Sequence, residues 1–363
     1  MGSNADPGGG SSRDPGGRAP RYAAAGVDVD ANTRLIPRLR ALAAQAGRPE
    51  VLGSIGAFAG LFDLSGVSRP LLVASTDGVG TKLLVARALA RYDTVGEDLV
   101  NHCVNDILTA GARPLFFLDY LAGAGLNEDS KVAVVEGVAR ACAATGTALL
   151  GGETADMPGL YRSGDFDIAG TIVGVVEKGR QIEGTTITSG DAVFALPSNG
   201  LHTNGYSLAR EVLGLTADPE RARALLAAHD PGLGESLGAA LLRPHRCYLS
   251  VVEPFLDRCK GIAHITGGGV QENLERILPE GVCARLDPAR WSIPPLFGLI
   301  QRRGAISDAE MYRVFNMGVG MIVVVAREDA EVVRRHAPEA CDVGFLEPVP
   351  GSRTVEIVGI ATP

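Results

Sequence analysis

Apolar positions along this chain switch repeatedly between short continuous runs and rows spaced three and four apart, the pattern of strands alternating with helices. Residues 71–75 read as a strand, and 82–90 as a helix behind a glycine loop. Across 96–110, Leu99, Cys103 and Ile107 form one apolar row and Val100, Val104 and Leu108 another, so the spacing predicts a helix with a broad core-facing stripe. Runs at 114–120 and 148–150 predict strands on either side of a helix over 130–144, and 167–177, rich in β-branched residues, predicts one more strand. The polar, glycine-punctuated stretch 178–190 reads as a linker.

A second unit repeats the mixture. Strands are expected at 192–196, 261–265, 319–326 and 354–360, with helices at 206–213, 248–258, 270–277 and 308–315. The expected architecture is therefore α/β (α+β) in two domains, 21–182 and 183–363, behind a tail over 1–20 too rich in Gly, Ser, Asp and Pro to bury a core.

Composition narrows the partners. A net charge of −8 argues against nucleic acid and against an anionic membrane, both of which need clustered positive charge. The six cysteines are scattered, without metal-like spacing, and read as free thiols. No run approaches the roughly 18–20 apolar residues of a membrane span, and the N-terminus carries no basic-then-apolar leader, so a cytoplasmic protein with small-molecule ligands is expected.

Several loops pair glycine with acidic or amide side chains next to a strand end or a helix start. In Ser75-Thr76-Asp77-Gly78-Val79-Gly80-Thr81-Lys82, the glycines let the backbone approach a phosphate, helix-start N–H groups attract an anion, Lys82 adds positive charge, and Asp77 can face a cation. A tight turn with Asp77 as helix cap and Lys82 in solvent accounts for the same residues. The chain contains no GxxxxGK[ST] loop.

Asn101, His102, Asn105 and Asp106 group on the less apolar side of the 96–110 helix, where Asp106 can meet Asp77 around a hard cation; Asn101 and His102, taken individually, read as a solvated helix face. Glu153 and Asp156 follow a hydrophobic strand within a glycine-rich segment. In the second unit Asn199, His202 and Asn204 lead into one helix, and His264, Thr266, Gly267, Gly268 and Gly269 into another; both loops suit a phosphorylated sugar, and both also suit plain helix caps. The glycines of 315–321 read as close backbone packing.

The order STDGVGTK (75–82), VND (104–106), FFLDY (116–120), GGETADMPG (151–159), NGYSL (204–208), HITGGG (264–269) and FNMGVGM (315–321) resembles the phosphoribosylformylglycinamidine cyclo-ligase family, the aminoimidazole ribonucleotide synthetases, from about Tyr22 onward. The resemblance implies ATP-driven closure of an imidazole ring on a phosphoribosyl substrate. It implies Mg²⁺ on Asp77 and Asp106, phosphate contacts from Gly78, Val79, Gly80, Thr81 and Lys82, and nucleotide or metal contacts from Asn105, Glu153 and Asp156. His264, Thr266 and the three glycines after it are implied to position substrate, and the N-terminal sheet to pair with that of a second subunit in a barrel. One departure stands out: Ala23 and Ala24 occupy the place of a Lys-Asp pair common in the family. A thiamine-monophosphate kinase, a selenophosphate synthetase, or a scaffold that has lost catalysis are the competing expectations.

Overall fold

The computed structural model describes residues 29–53 and 59–361. The tail over 1–20 and the Ala23-Ala24 departure lie outside them.

The first unit opens with α1 (Val29–Gln45), which the sequence pattern did not reveal because Pro37 interrupts it. A two-residue ribbon, β1 (Val51–Leu52) with β2 (Leu61–Phe62), leads to β3 (Pro70–Gly78), α2 (Lys82–Leu89), α3 (Asp93–Thr109), β4 (Arg113–Gly123), α4 (Glu128–Ala144), β5 (Ala148–Asp156) and β6 (Phe166–Glu177). The sheet runs in the order β3-β6-β4-β5, antiparallel except for the parallel β4/β5 pair. Helices α3 and α4 cover one face, and the apolar rows of α3 are fully buried there, as its spacing predicts. Two glycines let these helices touch backbone to backbone: a Cβ on Gly137 would lie 2.2 Å from the Asp93 carbonyl oxygen, and one on Gly96 equally close to α4. The other sheet face carries exposed Leu72, Leu118 and Tyr120.

Between Glu177 and Ala192 the chain crosses to a six-stranded sheet, ordered β10-β12-β7-β13-β11-β14. These strands are β7 (Ala192–Pro197), β10 (Cys259–His264), β11 (Val282–Leu286), β12 (Val319–Val325), β13 (Cys341–Pro348) and β14 (Thr354–Ile357); β8 (His229–Asp230) and β9 (Glu235–Ser236) form a separate ribbon. Strands β7 and β12 are buried on both faces, which explains their unbroken apolar runs. The helices are α5 (Tyr206–Val212), α6 (Pro219–Ala227), α7 (Leu237–Leu242), α8 (Leu249–Val252), α9 (Gly269–Glu275), α10 (Pro295–Gly304), α11 (Asp308–Val314) and α12 (Ala330–His336).

Two expectations need correction. The helix expected over 248–258 is α8 followed by a 3-10 turn, Glu253–Arg258, with Pro254 in its first turn. The acidic segment after Leu150 is no turn: it continues β5 as far as Asp156.

Candidate active site

Helix α3 belongs to the first unit by its apolar rows and to the second by its polar ones. Asp98, Asn101 and Asn105, spaced three and four apart, line up along the backbone of 245–248. Asp98 Oδ1 accepts the His245 N–H at 2.6 Å, and Asn101 Nδ2 donates to the His245 carbonyl at 2.7 Å. Asn105 Nδ2 donates to the Arg246 carbonyl at 2.8 Å, while its Oδ1 accepts the Tyr248 N–H at 2.9 Å. Asn105, expected at the nucleotide, is instead fully buried and spent on this docking. Asn101 is half-buried, with its amide also bonded to that backbone.

With the units docked in this way, four of the six histidines converge on Asp77 and Asp106. Asp77, at the end of β3, lies 2.8 Å from His102 Nε2. His102 Nδ1 meets Thr203 Oγ1 at 2.8 Å, and Thr203 Oγ1 meets His245 Nδ1 at 3.3 Å. His245 Nε2 faces His264 Nε2 at 3.0 Å, and His264 Nδ1 meets Asp106 Oδ1 at 2.8 Å. Ser75 donates to the other Asp106 oxygen at 2.8 Å.

Putting the one extra proton of this chain on His102 satisfies every contact. A cationic His102 donates from Nε2 to Asp77 and from Nδ1 to Thr203; the hydroxyl donates to His245 Nδ1; His245 donates from Nε2 to His264 Nε2; and His264 donates from Nδ1 to Asp106. The titration tendencies agree. Burial works against a charge on His102, but its hydrogen bond to Asp77 and the Asp106 charge outweigh that and raise its pKa. Burial lowers the pKa of His264 and drives that of His245 well down, so both stay neutral. Burial would raise Asp77 and Asp106, yet the histidine contacts prevail and hold both below the usual carboxylate value. The solvated-face reading of His102 is thereby corrected.

The donor atoms of His102, Asp106 and His264 lie within 4.8 Å of one another, a grouping able to hold a cation. In the hydrogen placement above the imidazoles donate, which leaves carboxylate oxygens as the cation-facing atoms. Asp77 and Asp106 keep 41% and 27% of their side-chain surface exposed, so both remain reachable.

The remaining expected residues divide sharply. In the 78–81 loop, Gly80 has φ of 62° with open space where a Cβ would stand, and Thr81 Oγ1 contacts Ser207 Oγ at 3.2 Å across the units. Val79 is a core residue. Lys82, expected as a mobile charge for phosphate, is fully buried: its ammonium binds Asp98 at 2.7 Å and the carbonyls of His202 and Arg243 at 3.1 and 2.8 Å. No donor is left for a ligand in this arrangement. Glu153 and Asp156 do not act as a pair either, because residues three apart on a strand point to opposite faces. Glu153 is exposed and lies opposite Tyr120 in register, on the face away from Asp77, while Asp156 is gripped by Lys131 at 2.7 and 2.8 Å.

In the second unit, buried polar atoms without partners gather in one loop: Asn199 Oδ1, both ring nitrogens of His202 and Asn204 Nδ2. Gly268 and Gly269 take positive φ, and a Cβ on Gly269 would stand 1.8 Å from the Tyr312 carbonyl oxygen. Asn273 Nδ2 braces this loop through the Gly267 and Gly269 carbonyls at 3.2 and 2.7 Å, with Thr266 Oγ1 near its Oδ1 at 3.3 Å. A cavity of about 760 Å³ opens here, lined by Gly205, Gly267, Gly268, Glu272, Glu310 and Arg313 among others. Sequence reasoning missed His245, Thr203, Ser75 and Asp98. His245 sits in Arg243-Pro244-His245-Arg246, where nothing periodic marks it; Ser75 stood inside a quoted motif without a role, and Thr203 stood between His202 and Asn204.

The AIR synthase related protein N-terminal domain family matches residues 59–176, and the corresponding C-terminal domain family matches 188–355. The chain is 46% identical over 329 residues to the phosphoribosylformylglycinamidine cyclo-ligase of Desulfitobacterium hafniense, covering 90% of this chain and 95% of that one. It is 47% identical over 344 residues to the protein of the same name from Myxococcus xanthus, covering 93% and 98%. This chain belongs to the phosphoribosylformylglycinamidine cyclo-ligase family. Among solved structures, thiamine-monophosphate kinase from Stenotrophomonas maltophilia superposes with a TM-score of 0.64 at 21% identity, covering 90% of this chain and 96% of that one. The hydrogenase maturation protein HypE in complex with ATP gives 0.60 at 21%, covering 93% and 94%. At such identities these two likenesses concern the fold alone.

Proposed function

We propose that this chain is an ATP-dependent cyclo-ligase that converts formylglycinamidine ribonucleotide to aminoimidazole ribonucleotide, with release of ADP and phosphate, in de novo purine biosynthesis. The observation that carries the reading at the site is the meeting of two ionised, accessible carboxylates, Asp77 and Asp106, beside the exposed Gly80 and against a histidine chain that both units supply. Relatives sharing nearly half their residues over almost their full length bear the cyclo-ligase name.

In the proposed reaction the substrate's formamide oxygen attacks the γ-phosphorus of ATP and the bond to ADP breaks. An amidine nitrogen then adds to the activated carbon, the carbon–oxygen bond breaks, and phosphate leaves as the nitrogen sheds a proton. Asp77 and Asp106 fit Mg²⁺, a hard cation that takes oxygen ligands, because both are held ionised and within reach. Bound there, the ion would offset the charge of the triphosphate. Ser75 and His264 fix the Asp106 carboxylate from two sides, and His102 fixes Asp77, so neither has to reorganise when a ligand arrives. The exposed backbone at Gly80 is open to phosphate groups, whereas Asn199, His202, Asn204 and the Thr266–Gly269 turn offer unpaired polar atoms and close backbone approach to the phosphoribosyl substrate.

The same reading makes the protein a cytoplasmic homodimer. The exposed Leu72, Leu118 and Tyr120 share one face of the first sheet with Val173, and a second copy covering that face would complete a barrel. No helix among the described residues is long and apolar enough to cross a membrane. The deciding assay offers purified protein ATP, Mg²⁺ and formylglycinamidine ribonucleotide and follows ADP. Release that depends on the ribonucleotide is expected; release only with thiamine monophosphate or selenide, or nucleotide binding without any release, would sink the assignment.

A further inference from the structure

The ion pair between Lys82 and Asp98 has both side chains entirely removed from solvent. Burial pushes both groups towards their neutral forms, opposed chiefly by their mutual attraction and less by the His245 N–H on Asp98 and the Glu97 charge on Lys82, with Asp98 raised to about 6. Such pairs add little net stability compared with apolar residues of the same volume, because desolvation consumes most of the attraction. Its presence calls for another reason.

The remaining bonds of the pair supply one. The ammonium of Lys82 has three hydrogens and three acceptors: Asp98 Oδ1, the His202 carbonyl and the Arg243 carbonyl. Asp98 Oδ1 in turn accepts the His245 N–H. Two side chains of the first unit thus hold the backbone of two histidines of the second, at positions 202 and 245. Those rings stack on each other, centroids 4.0 Å apart, and His245 leads through His264 to Asp106. His202 is held at φ of 60°, a left-handed conformation that a non-glycine residue keeps only when its surroundings impose it. Its backbone carbonyl is the atom that Lys82 grips.

We propose that Lys82 and Asp98 are positioning residues, a buried clamp that sets His202 and His245 against the Asp77–Asp106 centre, and that Lys82 does not contact phosphate. The inference rests on the cyclo-ligase reading for its kinetic readout, but not for its structural one. A phosphate role would require the ammonium to leave three bonds and abandon Asp98, whose Oδ2 already lacks a partner. Nothing exposed competes for it.

The test compares the wild type with Lys82→Met and with the paired change Lys82→Met/Asp98→Leu. The paired change replaces the ions by apolar groups of similar volume and, although it frees the His245 N–H and the His202 and Arg243 carbonyls, is expected to melt above the single change, which also leaves the Asp98 charge buried without its partner. Affinity for a non-hydrolysable ATP analogue is measured by calorimetry, apart from turnover, and is expected to change by less than about twofold, while kcat falls about 100-fold, the cost of roughly 1 Å of misplacement. In protein with ¹³C-labelled histidine, the ring signals of His202 and His245 are expected to shift in the paired variant. An analogue affinity weakened about tenfold or more would reveal a phosphate ligand and overturn the clamp, since that corresponds to about 1.4 kcal/mol of lost binding. Wild-type kcat or unmoved histidine signals in the paired variant would also overturn it. A wild type inactive on the ribonucleotide would instead count against the cyclo-ligase assignment, leaving the affinity and the histidine signals to judge the clamp.

Discussion

Replacing Asp106 with asparagine keeps the shape of the side chain and removes its charge. The carboxylate accepts from His264 Nδ1 and from Ser75 Oγ, each at 2.8 Å, and lies 3.9 Å from His102 Nε2. Asparagine can still accept from one of them. Because the Ser75 hydroxyl can turn and become the acceptor, the amide should face Ser75 and its oxygen His264, so no hydrogen bond need be lost outright. What disappears is the charge. At 3.9 Å the attraction to a cationic His102 is about 4 kcal/mol at an effective dielectric near 20, but Asp77 continues to pair with His102 and part of Asp106 is in contact with water. A net stability loss of about 1–2 kcal/mol follows.

Turnover should suffer more than folding. Under the proposed function Asp106 supplies half of the carboxylate charge that holds the cation, and a missing preorganised charge costs on the order of 100–1000-fold in rate. Denaturant unfolding and ribonucleotide-dependent ADP release, measured on the same Asp106→Asn preparation, separate the two effects. A variant that turns over like the wild type would refute the placement of the cation, and one that loses activity only in proportion to unfolded protein would refute the electrostatic argument.

Three other outcomes are expected. The raised pKa of His102 adds stability that is complete below its ordinary value of 6.5 and disappears as pH rises through the higher folded-state value, so the stability gap between wild type and His102→Gln should be widest below 6.5 and narrow as pH rises above it; a gap that widens with pH contradicts a cationic His102. A methyl group on Gly320 would stand 1.8 Å from Tyr248 Oη and 2.7 Å from His202 Cε1, so Gly320→Ala should cost about 1–3 kcal/mol in unfolding measurements and lower kcat by displacing His202, and an unperturbed variant would show the packing to be looser than described. Leu118→Asp places a charge on the exposed sheet face and should convert a dimer to monomers in sedimentation experiments; an unchanged mass would move the proposed interface elsewhere.

The strand–helix alternation and the apolar rows of α3 were legible because periodicity records which face is buried. The sequence also pointed to Asp77 and Asp106 as neighbours, and both lie against His102 Nε2, at 2.8 and 3.9 Å. Parity on a strand was not legible: Glu153 and Asp156 looked like partners in a turn, and once β5 continues through them the sheet separates their side chains. Asn105 and Lys82 failed for another reason. Polar residues beside a glycine loop look alike in sequence whether they serve a ligand or the backbone of a segment more than a hundred positions away, as these two do.

That long-range use of polar side chains also explains why the centre is divided between the units. The first unit contributes Asp77, His102 and Asp106, and the second Thr203, His245 and His264, so neither holds the hydrogen-bond chain alone. Apolar packing between the units could tolerate small slips. Asp98, Asn101 and Asn105 instead bind backbone N–H and carbonyl groups along 245–248, where a slip of one residue would exchange donors for acceptors and leave several buried groups unpaired. Docking by backbone hydrogen bonds therefore fixes register as well as contact, and a chain whose proton positions alternate through six groups depends on register.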